Sequence, residues 1–330
     1  MDVRQLRYFV QIVESGSLAK ASRQLFIAQP ALSQQMAKLE EAVGKPLLTR
    51  SARGVEPTEN GVALYHHAKF LLRQFDQTIQ IARQEAAQVR GRVSIGLAPT
   101  TVRVLGLPLL RHLREKYPGI VLNIIEGLSG HIEHMTRMGQ LDMSVLFSQT
   151  AASELDVEPL LDEELFVIAL AKCKWIPANA KTLSLQEVAA LPLILPSEGH
   201  SLRRRIVLEF ERRGLALQPV AEIDSLPLVM SCVEEGTGVT IKPMSALYSV
   251  RDHARYWRAL PISDASMTRR NFLYSLGPDK LSPCAALVRH EVKAVIRQLV
   301  TDGQWKGVTL AFGPADEAKA SGLTKDAEAA

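Results

Sequence analysis

Gln29, Pro30, Ser33, Gln34 and Ala37 recur at the three- and four-residue steps that place them on one side of a helix, and none is charged. A glutamine amide offers donor and acceptor together, matching adenine N6 and N7 in a major groove, and small neighbours let the helix approach the groove floor. Arg50 and Arg53 follow in a short segment of their own, where guanidinium groups can meet phosphates or a narrow minor groove. A second set of hydroxyls lies further on. Thr100 and Thr101, and then Ser129, each follow an apolar run and open a helical one, while Ser197 and Ser201 bracket the start of another helix. Helix starts carry unpaired N–H groups and partial positive charge, so hydroxyls there suit an anion. Each taken singly is also an ordinary helix cap. Phe147, at the end of a strand, lines such a site or simply packs.

Catalytic and metal chemistry lack their parts. Gly96-Leu-Ala-Pro has no dinucleotide or phosphate-loop glycine spacing, and no GxSxG elbow occurs. His131 and His134 flank Glu133 without forming HExxH, so no metal is expected. The cysteines at 173, 232 and 284 form no CxxC pair and no disulfide framework. No cofactor and no enzymatic activity are expected.

Residues 1–60, which must hold the first set, read as three helices and two short strands. Leu6, Phe9, Val10 and Val13 mark the first helix; Ser17 caps a second carrying Leu18, Ala21 and Leu25. Pro30 opens a third, with Leu32, Met36, Leu39 and Val43 on its inner face and Gly44 at its end. Strands at 46–50 and 54–58 then make a wing. Residues 61–89 contain no proline and read as one long helix. Its seam of Leu64, Ala68, Leu71, Phe75 and Ala82 is narrow, which suits pairing with a second copy; packing on the following domain is the alternative. From 90 to 302 strands alternate with helices, the pattern of parallel sheets covered on both faces and arranged as two lobes. Residues 303–330 are rich in Ala, Gly, Lys and Asp and read as a flexible tail.

The 330 residues are 47% apolar and 22% charged, an ordinary globular composition. No run is long enough to span a membrane, and the N-terminus has no apolar leader, so a cytoplasmic location without membrane contact is expected. Residues 1–92 hold 13 Lys and Arg against 8 Asp and Glu, whereas residues 93–330 hold 26 against 27. A basic head on a near-neutral body suits a polyanion partner for the head. The triplet Arg203-Arg204-Arg205 with Arg212-Arg213 is the densest basic cluster beyond it, and reads by default as a solvated helix face.

The stretch GSLAKASRQLFIAQPALSQQMAKLEEAVGKPLLTRSARGVEPTENG resembles the winged helix-turn-helix of LysR-type transcriptional regulators. That family's QPALSxQ helix falls on Gln29–Gln35, its LExxxG ending on Leu39–Gly44 and its wing arginines on Arg50 and Arg53. Within it, IAQPALSQQ and RGVEPT resemble the branch that includes nitrogen-assimilation regulators. Ala28 departs from the usual Ser or Thr cap, and Leu48 from a common Phe. The resemblance implies an α+β multidomain chain: a winged helix-turn-helix at 1–60, a linker and dimerisation helix at 61–89, and a two-lobed α/β effector domain at 90–302 similar to periplasmic solute-binding proteins. It implies promoter DNA read by Gln29, Pro30, Ser33, Gln34, Arg50 and Arg53. It also implies a small effector, a carboxylate or other anion, held by Thr100, Thr101, Ser129, Phe147 and Ser197. Leu64, Ala68, Leu71 and Phe75 would pair a homo-dimer or tetramer, and RNA polymerase is a further expected partner. A solute-binding component of a transport system is the alternative for the body, and leaves the head unexplained.

Overall fold

The computed structural model describes residues 1–51, 54–83, 89–147, 155–248, 256–277 and 281–313, with only the backbone at 73, 77 and 79–83. Contacts divide the chain into two units, residues 1–91 with 137–140, and residues 92–136 with 141–330. Arg53 and residues 314–330 lie outside the described residues.

In the first unit, α1 (Val3–Ser15) starts in a capping box between Asp2 and Gln5, and α2 (Leu18–Leu25) is capped by the Ser17 hydroxyl. α3 (Gln29–Val43) starts at Ala28 without any side-chain cap, as the sequence indicated. Phe9, Ile12, Leu18, Ala21, Leu32, Met36 and Leu39 form one core with Leu47 and Val55 of the wing. Two expectations shift. Ile12 replaces Val10 and Val13 as the deep residue of α1, because the buried stripe runs through Gln5, Leu6, Phe9 and Ile12. Val43 is 38% exposed, since α3 has turned its last residue away from the core.

The wing pairs β1 (Leu48–Ser51) with β2 (Gly54–Pro57) antiparallel. Gly54 sits at φ +130, and a Cβ there would meet the Gly16 carbonyl oxygen at 2.5 Å, so only glycine permits this approach to the end of α1. The Glu40 carboxylate accepts from the Leu47 and Leu48 amides at 2.8 and 3.1 Å, which fixes the wing to α3.

α4 (Glu59–Arg83) begins at the Thr58 hydroxyl, which accepts from the Gly61 amide. The sequence left this helix without a partner in its own chain, yet α1 supplies one. Tyr65 and Lys69 both donate to Glu14, Arg7 pairs with Asp76 at 2.5 Å, and Leu64 packs on the head core. Ala68 is fully buried, so among the described side chains of the seam Leu71 and Phe75 stay exposed, at 38% and 44%; the Ala82 side chain lies outside them.

The second unit starts with β3 (Gly91–Leu97), then a short helix α5 (Pro99–Thr101) that continues through a π-turn at Val102–Gly106 into α6 (Leu107–Lys116). β4 (Ile120–Glu126), α7 (Ser129–Arg137) and β5 (Met143–Leu146) follow. The expectation of purely parallel sheets is corrected by two long antiparallel strands, β6 (Leu155–Leu170) and β11 (Thr268–Leu276). Residues 155–164 of β6 pair with β11, which pairs with β5 beside β3 and β4. Residues 165–170 pair instead with β9 (Thr240–Pro243) and β10 (Trp257–Pro261) of the second lobe. Leu165, Val167 and Ala169 enter one core and Phe166 and Ile168 another, so this half of the strand is buried on both faces and its sequence reads as a plain apolar run.

The second lobe adds α8 (Leu185–Ala189), the parallel pair β7 (Leu193–Leu195) and β8 (Pro219–Glu222), α9 (Ser201–Arg212) and α10 (Leu226–Glu234). α11 (Pro283–Thr301) follows, and then β12 (Val308–Leu310), which pairs with β6. Residues 303–313 are therefore structured where a tail was expected: Trp305 is 2% exposed and anchors them. The arginine cluster of α9 is solvated at Arg204, Arg212 and Arg213 but not throughout. Arg203 is buried near Glu222, Arg205 pairs with Glu209 and reaches the Ser266 and Thr268 carbonyls, and Arg213 meets Asp264.

Candidate nucleic-acid interface and ligand cleft

On α3 the core takes Leu32, Met36 and Leu39, which leaves Gln29, Pro30, Gln34 and Ala37 exposed together on the other side. Ser33 is half-buried among them because Arg50 of β1 donates to its hydroxyl at 3.1 Å. The wing arginine and the helix therefore present one surface. Gln35 turns inward instead and accepts from the Gln5 amide at 3.2 Å.

The two lobes of the second unit face each other across a narrow cleft of about 30 Å³. Thr100, Ser129 and Phe147 line it from the first lobe, and His200, Asp224 and Lys242 from the second. Arg269 of β11 stands between. Its Nε and Nη2 donate to Glu163 at 2.9 and 2.7 Å, Nη2 also to the Thr100 hydroxyl at 3.1 Å, and its plane lies 3.5 Å above the Phe147 ring centroid. Both members of this pair are buried. Since Thr100 accepts from Arg269, its own hydroxyl proton is left to donate.

Lys242 is different. It is 6% exposed, and its ammonium makes no hydrogen bond or ion pair among the described residues. Burial, and then the nearby Arg269 charge, push its pKa down to about 8. His200 accepts from the Leu202 amide through Nδ1 at 3.0 Å, which caps α9 and leaves the proton on Nε2. Burial, followed by the Lys242 and Arg269 charges, lowers it to about 4, so the ring is neutral at pH 7. For Asp224 burial works upward, but bonds from the Ser197 amide and hydroxyl outweigh it and hold the carboxyl low. The Ser129 hydroxyl is buried with no partner at all. Thr100, Ser129, His200 and Lys242 thus offer donors to the cleft, with the Asp224 carboxylate, held by Ser197, at its edge.

A second, roomier recess of about 340 Å³ adjoins this cleft and shares Leu128, Ser129 and His200 with it. Ser197, Gly199, Ser201 and Arg204 line its far side.

The structure brings Thr100, Ser129 and Phe147 together as expected, but not all of the set. Thr101 is 1% exposed and points into the lobe, because its neighbour Thr100 takes the cleft side. Ser197 lines the recess with its hydroxyl spent on Asp224. None of Thr100, Ser197 and Ser201 caps its helix: Ala98 starts α5 without a cap, and His200 caps α9. Sequence reading missed Lys242, His200, Arg269 and Glu163. One signal was present, a lysine closing the otherwise apolar strand Val239–Ile241.

Residues 3–62 match the bacterial regulatory helix-turn-helix protein of the lysR family, and residues 86–297 match the LysR substrate binding domain. The nitrogen assimilation regulatory protein nac of Klebsiella aerogenes is 36% identical over 297 residues, covering 90% of this chain and 95% of its own. The protein of the same name from Escherichia coli K12 is 34% identical, covering 94% and 100%. Among solved structures, a full-length OxyR variant from Pseudomonas aeruginosa aligns with a TM-score of 0.71 at 23% identity, covering 90% of this chain and 95% of that one. Full-length CbnR complexed with its target DNA aligns at 0.54 and 20%, covering 90% and 100%. At these identities the solved structures speak for the fold.

Proposed function

The chain belongs to the LysR family of transcriptional regulators, DNA-binding proteins with an effector-binding domain, and on that premise we propose that its effector is an anion held by Lys242, Ser129, Thr100 and His200. The observation that carries this is the buried Lys242 ammonium without a partner. A buried charge is costly unless paired, so an anion entering the cleft recovers interactions that the free protein forgoes. The transport reading of the body leaves the matched helix-turn-helix unused and is not favoured.

The reading extends to DNA and to assembly. Gln29, Pro30, Ser33 and Gln34 of α3 read a major groove, with Arg50 on the backbone beside them. Two copies pair through Leu71 and Phe75 of α4, so that two heads meet a two-fold promoter site where RNA polymerase is the further partner. Leu71→Asp should give a smaller species in sedimentation and weaker operator binding; unchanged mass would remove α4 from the assembly.

Thermal unfolding of the full-length protein with acetate tests the effector reading. A ligand of the native state raises the melting temperature by mass action. Lys242→Met should abolish that rise. A rise of wild-type size in the variant would rule out Lys242 as the anion's partner.

A further inference from the structure

We infer that the effector carries two anionic groups on a short, non-aromatic chain, one group at Lys242 and the other at Ser201 and Arg204. This rests on the anion reading of the cleft given above. The cleft and its neighbouring recess are continuous, since Leu128, Ser129 and His200 line both. One end is Lys242, a buried residue whose ammonium makes no hydrogen bond or ion pair among the described residues, beside the buried, unpartnered Ser129 hydroxyl.

The recess repeats the same chemistry at its far side. The Ser201 hydroxyl is shut off from solvent and has no partner. Arg204 bonds only through Nη1, to the Gly199 carbonyl at 3.2 Å, and its remaining N–H groups are uncommitted among the described residues. A hydroxyl and a guanidinium side by side form a donor set suited to a carboxylate, which accepts at two oxygens.

The walls restrict what joins the two ends. Phe147 offers the cleft its phenyl ring, but the Arg269 guanidinium already lies 3.5 Å from its centroid, so that face is closed to a stacked aromatic ligand. Among the described residues Leu128 is the one aliphatic side chain lining the recess, beside glycines, serines, histidines, Arg204 and, on the Leu128 side, Glu133. Asp224 keeps its charge beneath the Ser197 bonds and lines the cleft with Lys242. The geometry therefore favours a short aliphatic dicarboxylate over an aromatic acid.

Titration calorimetry on the full-length protein at matched ionic strength can decide this, with butyrate, succinate and glutarate as probes. At least one diacid should bind tenfold or more tightly than butyrate. Arg204→Gln should bring that diacid to the affinity of the monoacid, while Arg204→Lys, which keeps the charge, should retain part of the preference. Equal affinities for all three acids in the wild type would overturn the two-ended ligand and leave the anion cleft standing. Binding of none of them would overturn both readings.

Discussion

The head and the cleft solve opposite problems with their polar groups. On α3 the side chains proposed to read DNA stand in solvent, on the far side of a core made of Leu32, Met36 and Leu39. In the cleft the charged side chains are inside: Arg269, Glu163 and Lys242 are each buried to 6% exposure or less. Desolvation makes every one of them a contributor to stability or a cost against it. On the proposed assignment, reading DNA is separable from folding in this chain, whereas sensing a ligand is not.

The largest effect that can test this contrast is Arg269→Ala. Removing one member of a buried, hydrogen-bonded pair leaves the Glu163 charge stranded and should cost about 3–5 kcal/mol, read as a fall in melting temperature. The matched change in the head, Arg50→Ala, should cost no more than about 0.5 kcal/mol. Equal losses would erase the distinction between the two regions. Next in size, Gln34→Ala should weaken specific operator binding by about 1–3 kcal/mol in a mobility-shift titration while the melting temperature holds. A wild-type operator affinity would move the reading face away from this side of α3.

The smallest effect is the pH dependence of the cleft. Anion binding needs the charged form of Lys242, so acetate affinity measured by calorimetry should be steady from pH 6 to 7.5 and fall, by up to about tenfold per unit, above about 8. His200 protonates only near 4 and adds nothing in that window. Stability of the ligand-free protein runs the other way. The folded pKa of Lys242 lies below its unfolded value, so its penalty is full below about 8 and is relieved as pH rises above it. Affinity that held constant to pH 9.5 would remove Lys242 from the site.

The same contrast decides what could be read before the fold was known. The head was legible almost residue by residue because its signals are local: Ser17 caps the helix it precedes, Pro30 opens α3, and the inner stripe of α3 repeats at helical spacing. Thr100 and Ser129 were legible for the same reason, since each follows its strand directly. Lys242, His200 and Arg269 were not. They share a cleft with Thr100 only because β6 passes from one lobe into the other, and its second half gives no alternation to betray it, being buried on both faces. Arg269 and Arg270 look alike in sequence, yet the strand turns one inward to Glu163 and the other outward to Asp162. Trp305 likewise orders a segment whose composition suggested none.

The two links between α3 and the wing, Glu40 to the Leu47 and Leu48 amides and Arg50 to Ser33, bear on how the head searches for its site. A wing tethered at both ends of the recognition helix meets the duplex already ordered, so docking forfeits little of its conformational freedom. It also cannot adjust alone. If the helix slips by one base pair, the wing strands slip with it, and a site off by a single step is mismatched in both places at once. Two modest contacts joined in this way discriminate position along DNA more sharply than the same contacts on a loose arm.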